Sequence, residues 1–229
     1  MMATLIAYHE LHNALNRLRS RLSSPARPVA RDADLLIGDA YLVSTHAAIE
    51  FFFEELSRRA VYASLWKLRT SRVRSPLLEA IAATHYYACA TSLPRGDLTV
   101  HGSVEEETKA AIAWYIRRLD GNNGVKRLNL LAMLLPLGFH ESDFDPVWLA
   151  SMDSFGGLRG DTAHGRPVTR FGRPPVDIAP SGFGPIKVPV WSTSATRTRT
   201  SQAPWDIDRT LSGLLPEMRL WDMRVRSRF

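Results

Sequence analysis

The sequence predicts an all-α fold: an irregular helical bundle of about six or seven helices, with a long Pro/Gly-rich excursion before the last helix. Three observations carry this. Apolar residues recur at spacings of three and four over most of the chain, helix-start signals precede nearly every such run, and period-two alternation is confined to the short stretch IKVPVW, residues 186–191. With 229 residues the chain fits a single domain, 1–229, with its core at about 35–165, a C-terminal helix at about 205–222 and the excursion at 166–204.

The elements follow in order. Residues 4–22 place Leu5, Tyr8, Leu11, Leu15, Leu18 and Leu22 on one apolar stripe, with arginines opposite. A loop with Pro25 and Pro28 ends this helix, and Asp32 or Asp34 caps a second that runs to about residue 69. Its centre, AYLVSTHAAIEFFFEELSRR, is apolar on more than one face, which marks the buried central helix. Ser75 before Pro76 starts a third helix, to about residue 92, and Pro94, Gly96 and Gly102 make the next loop. Ser103 with Glu106 forms a capping box for a fourth helix through Arg118. The turn DGNNG leads to a short helix that ends near Pro136 and Gly138. Asp145 before Pro146 caps the next helix, which Gly165 and Pro167 terminate. The last helix, from residue 204, is expected to bend at Gly213 and Pro216.

Composition narrows the function. Hydrophobic residues at 45% and charged residues at 23% exclude disordered and fibrous classes. One cysteine, Cys89, rules out an internal disulfide framework and points to a reducing compartment. The N-terminal apolar run is interrupted by His9, Glu10 and His12, and residues 128–139 are too short to span a bilayer, so a soluble, cytoplasmic protein without a membrane partner is expected. The formal net charge is +6, and only four of the 29 basic residues are lysines. Arginine's planar fork suits phosphate oxygens, so a phosphate-bearing partner is expected, although a GC-rich genome would produce the same bias.

Common catalytic signatures are absent: no GxxxxGK, HExxH, CxxC or GxSxG. The pairs His9/His12 and His46/Glu50 have helical ligand spacing, but two histidines or a His–Glu pair more often serve the core or the surface, and no metal or other cofactor is assigned. Arg159 and His164 make a different pair. At five positions' separation they differ by about 140° around a helix and about 7.5 Å along it, within reach of a long arginine. A guanidinium can stabilise charge on phosphorus while an imidazole moves the 2′-hydroxyl or leaving-oxygen proton. The bare spacing carries little information, because a given Arg-to-His offset occurs about 0.8 times by chance among 25 arginines and seven histidines. Arg95 and His101 match as well, in a loop; Arg159 and His164 instead end a capped helix beside two glycines.

The segments NNGVKRLNLLAMLLPLGF (122–139) and WLASMDSFGGLRGDTAHG (148–165) resemble the C-terminal core of HEPN-domain proteins, and within them the RiboL-PSP-HEPN subgroup. DAYLVSTHAAIEFFFEEL (39–56) is similar to that family's first domain helix. The resemblance spans roughly residues 35–222 and implies an all-α bundle, a homodimer, and metal-independent cleavage of RNA with Arg159 and His164 as catalytic residues. It also implies a toxin or antiphage effector, with an antitoxin or other protein inhibitor as a possible partner; the alternative is a catalytically silent HEPN module that binds nucleic acid or protein. The chain departs from the pattern in two places. Gly160 stands where many members carry Asn, Asp or His, and Arg166 stands where one subtype carries a modifiable tyrosine. Around the motif, Asp161 either orients a catalytic group or faces water. His46 and Glu50 either support Arg159 or form a separate ion pair. Lys126 and Arg166 are candidate RNA contacts. Trp114, Trp148, Trp205 and Trp221 read as core. Residues 193–202, with Arg197 and Arg199, read as a solvated loop or a phosphate-contacting arm.

Overall fold

The structure, a computed structural model, describes residues 6–22, 31–92, 103–163 and 204–228. These residues form seven α-helices: α1 (Ile6–Leu22), α2 (Arg31–Ser71), α3 (Pro76–Ser92), α4 (Val104–Asp120), α5 (Arg127–Leu134), α6 (Pro146–Ala163) and α7 (Pro204–Arg226). Two short 3-10 turns, Leu135–Leu137 and Glu141–Asp143, join α5 to α6. Among the described residues there is no strand, and no helix is long and apolar enough to cross a membrane.

The 41-residue α2 is the axis of the bundle and touches every other helix. Its surroundings explain why its sequence is apolar on more than one face. Tyr41, Leu42, Ile49, Phe52, Phe53, Leu56, Ala60 and Val61 are all buried, and they meet partners on several sides. A second aromatic centre lies where α7 crosses the α5–α6 connection: Trp221 stacks on Phe144 (4.3 Å between ring centroids) and meets Phe139 edge-on (5.0 Å).

Several starts fall where local chemistry puts them. The Ser75 hydroxyl accepts from the Leu78 N–H, and Pro76 opens α3. Ser103 and Glu106 form the expected reciprocal box on α4. Asp145 accepts from the N–H groups of Val147 (2.7 Å) and Trp148 (3.3 Å) at the start of α6. Gly138 stops the α5 segment with φ +88°, a left-handed conformation that a side chain would strain.

Other details differ from the sequence reading. α2 already includes Arg31, so Asp32 and Asp34 lie inside its first turn instead of capping it. α4 continues two residues past Arg118, to Asp120. α7 stays helical through Gly213 and Pro216, where the bend was expected, and buries the stripe Ile207, Leu211, Leu214, Met218 and Trp221. Trp148 and Trp221 are core as expected, Trp114 is half-buried beside His85, and the side chain of Trp205 lies outside the description. The excursion, including residues 193–202, also lies outside the described residues, as do Arg95 and His101.

Candidate functional site

The site is assembled by α2, the turn before α5 and the second half of α6. The turn is built around a glycine. Gly124 has φ +122°, which bends the chain sharply and brings its N–H onto the Glu50 carboxylate of α2. Asn122 completes the anchor: its Nδ2 donates to Glu50 (3.2 Å), Glu54 (3.0 Å) and the Gly124 carbonyl (3.1 Å), while its Oδ1 accepts from Asn129 Nδ2 (3.1 Å). The Asn-Asn-Gly sequence is thus a clasp on two carboxylates one helical turn apart.

Behind the clasp sits His46. It is 98% buried, stacks on Phe155 of α6 (5.9 Å between centroids, 19° between planes), and has its Nδ1 3.8 Å from Glu50 Oε2, beyond hydrogen-bonding range. A Cβ on Gly124 would lie 3.6 Å from the imidazole Cε1, so the turn packs directly against the ring. Burial, reinforced by the positive charges of Arg159 and Lys126, lowers the His46 pKa to about 4. At neutral pH this ring is therefore neutral and acts as a packed wall, not as a proton donor.

Glu50 responds in the opposite sense. Burial raises its pKa, and the Gly124 N–H pulls it back down; Glu54 adds to the rise while Arg159 opposes it. Arg159 lies four residues after Phe155 on the same face of α6, and its Nη1 lies 3.5 Å from Asn123 Oδ1. Arg159 therefore meets the Asn122–Gly124 turn and acts on Glu50 only through the field; no direct pair forms. Lys126 is the residue just before α5. Its stem crosses α6 at Gly156, where any Cβ would fall 2.7 Å from Lys126 Cγ. The α5 N-terminus that Lys126 leaves uncapped is served from α6: the Asp153 carboxylate accepts from the Arg127 N–H at 2.7 Å.

Four residues singled out in the sequence, Arg159, Glu50, His46 and Lys126, thus come together from two helices and the turn before α5. Asp161 is helical in α6, but its side chain is outside the description; His164 and Arg166 lie outside the described residues. His9 and His12 are exposed on α1. Among the described residues no three His, Cys, Asp or Glu side chains converge in a way that could hold a metal ion. Sequence reasoning passed over Asn122, Asn123, Gly124 and Gly156. The turn composition of DGNNG was visible, but its partner carboxylates, more than 60 positions away, were not. No family model matches the chain, and no curated protein or solved structure does either.

Proposed function

We propose that the chain is a metal-independent endoribonuclease of the HEPN type, working as a homodimer with Arg159 and His164 as its catalytic residues. One observation carries the reading above the others: α6 brings Arg159 to the exposed Asn123 of a turn that Glu50 and Asn122 anchor, beside Lys126 and next to a buried, uncharged His46. A guanidinium held against a fixed turn, with a second cation alongside, is suited to a phosphodiester.

In the reaction the ribose 2′-oxygen bonds to phosphorus as the 5′-oxygen leaves. One imidazole takes the 2′-hydroxyl proton, and another protonates the departing oxygen. The products are a 2′,3′-cyclic phosphate and a 5′-hydroxyl. Two copies of His164, one from each protomer, supply base and acid, while Arg159 stabilises the charge that builds on the phosphoryl oxygens. Lys126 and Arg166 contact neighbouring phosphates. DNA lacks the internal nucleophile and is not cut. A toxin or antiphage role, with an antitoxin or other inhibitor, accompanies this reading through the HEPN resemblance.

The test is cleavage of a labelled RNA in the presence of EDTA. Wild type should yield cyclic-phosphate ends, and Arg159→Ala and His164→Ala should each slow the reaction roughly 100-fold or more. If wild type leaves RNA intact, or if both variants cut at the wild-type rate, the catalytic reading is wrong. Undiminished RNA binding without cleavage would identify the silent module instead.

A further inference from the structure

The C-terminal half of α2 carries a surface that the cleavage site does not use. Between Leu56 and Leu78 the chain has six basic residues, Arg58, Arg59, Lys67, Arg69, Arg72 and Arg74, and no acidic one. Two of these arginines are committed to carboxylates. Arg58 pairs with Asp120 (2.9 Å) and Glu54 (3.6 Å), and Arg59 pairs with Glu10 (2.9 Å) and Glu55 (2.7 Å). Arg74 donates to the Val104 carbonyl and the Thr108 hydroxyl, neutral groups that leave its charge uncompensated. Lys67, Arg69 and Arg72 are exposed, and among the described residues none of them forms a salt bridge with a carboxylate.

Two aromatic rings stand among these cations. Tyr62 is 56% exposed and Trp66 69% exposed, one helical turn apart on the solvent side of α2. Arg69 follows Trp66 by three residues, so the same face reads tyrosine, tryptophan, arginine, with Lys67 on its flank and Arg72 just past the helix end. The opposite side of this stretch, with Ala60, Val61 and Ser64, is wholly buried, so the rings are turned outward by the register of the helix and not by fraying. Arg72 shares its charge with nearby Glu105, while Lys67 and Arg69 make no salt bridge among the described residues; large exposed rings beside such cations suit a polyanion whose units also present flat faces.

We infer that Tyr62 and Trp66, with Lys67, Arg69 and Arg72, form a stacking platform for single-stranded nucleic acid. The rings take unpaired bases and the cations take the phosphates. Duplex does not fit, because its bases are already stacked within the helix. The platform lies about 24 Å along α2 from Glu50 and on the other side of that helix. It is therefore an anchoring surface remote from the Arg159 site of the same protomer, and it stands whether or not that site cuts RNA.

Binding decides the matter, with cleavage kept out of the readout. A fluorescein-labelled 20-nucleotide 2′-O-methyl oligouridylate, which has no 2′-hydroxyl nucleophile, is titrated by anisotropy against the full chain. A duplex of equal length and heparin, a polyanion without bases, serve as comparison probes. The double variant Tyr62→Ala/Trp66→Ala should bind the single strand roughly tenfold more weakly while changing heparin binding less than twofold. Lys67→Glu/Arg69→Glu should weaken binding of all three probes. Trp66→Phe, which keeps a ring, should stay within about threefold of wild type and guards against a loss caused by misfolding. The platform is rejected if wild type does not bind the single strand, if the aromatic variant binds it as wild type does, or if duplex binding falls equally. It is also rejected if that variant turns a dimer into a monomer in light scattering, since the face would then belong to a second copy.

Discussion

Gly124 and Glu50 show how much of the site rests on single residues. The positive-φ backbone of Gly124 lets its N–H reach Glu50, and the turn lies against His46. Gly124→Ala should cost about 1–2 kcal/mol in chemical denaturation, because any side chain strains the positive-φ backbone there. Asn122→Ala should cost about 1–3 kcal/mol, since it takes the amide donor from two carboxylates one turn apart. The pH dependence follows from His46. Its folded pKa, about 4, lies below the ordinary value of 6.5, so the unfolded chain binds the extra proton first. The stabilisation is complete above about pH 6.5 and is lost as pH falls toward 4, by up to about 3 kcal/mol. Glu50 partly offsets the loss, because burial raises its pKa and so makes the folded state the better proton acceptor at that carboxylate. Denaturation midpoints measured from pH 4 to 7 for wild type and His46→Leu should therefore diverge, with the flatter curve for the variant. The two titrating residues were legible in the sequence, but their surroundings were not. His46 and Glu50 stood out by their one-turn spacing, but whether that pair was buried, and under which turn, depended on a contact between α2 and residues 122–124.

At the scale of the helix, caps supplied from within a segment were readable and caps supplied from across the bundle were not. Ser75, Ser103 and Asp145 lie next to the helices they start. Asp222, by contrast, is fully buried on α7 and accepts from the Tyr8 N–H in the first turn of α1 (3.0 Å) as well as from Arg226 Nε (2.6 Å). Nothing near residue 8 announces a carboxylate 214 positions away. Asp222→Ala should lower stability by about 1–3 kcal/mol, since it takes the acceptor from the part-buried Tyr8 N–H and removes one carboxylate partner of Arg226. The glycines of α6 make a sharper comparison. A Cβ at Gly156 collides with the Lys126 stem, whereas a Cβ at Gly157 meets nothing within 4 Å. Gly157→Ala should therefore raise stability by about 0.5–1 kcal/mol through helix propensity, and Gly156→Ala should gain little or lose. Thermal melts of the two single variants check this directly.

For the whole molecule, α7 closes the bundle. Asp208 accepts from the Tyr41 hydroxyl of α2 (2.6 Å) and from Arg19 of α1 (2.9 Å), and Trp221 fills the space between Phe139 and Phe144. These ties cross the full length of the sequence, so unfolding should be one transition seen alike by far-UV and near-UV circular dichroism. If the proposed nuclease draws its base and its acid from different protomers, specific activity should fall on dilution through the dimer dissociation range, and a fixed activity per chain would argue for a site complete in one copy. The class of the fold, the position of α2 at the centre and most helix starts were determined by the sequence alone. They depend on apolar periodicity and on side chains within four residues of the groups they serve. What only the tertiary structure decided was the clasp of Asn122 and Gly124 on Glu50, the seat of Lys126 on Gly156, and the outward turn of Tyr62 and Trp66. Each depends on which faces of distant helices meet, and that is set by packing the entire core at once.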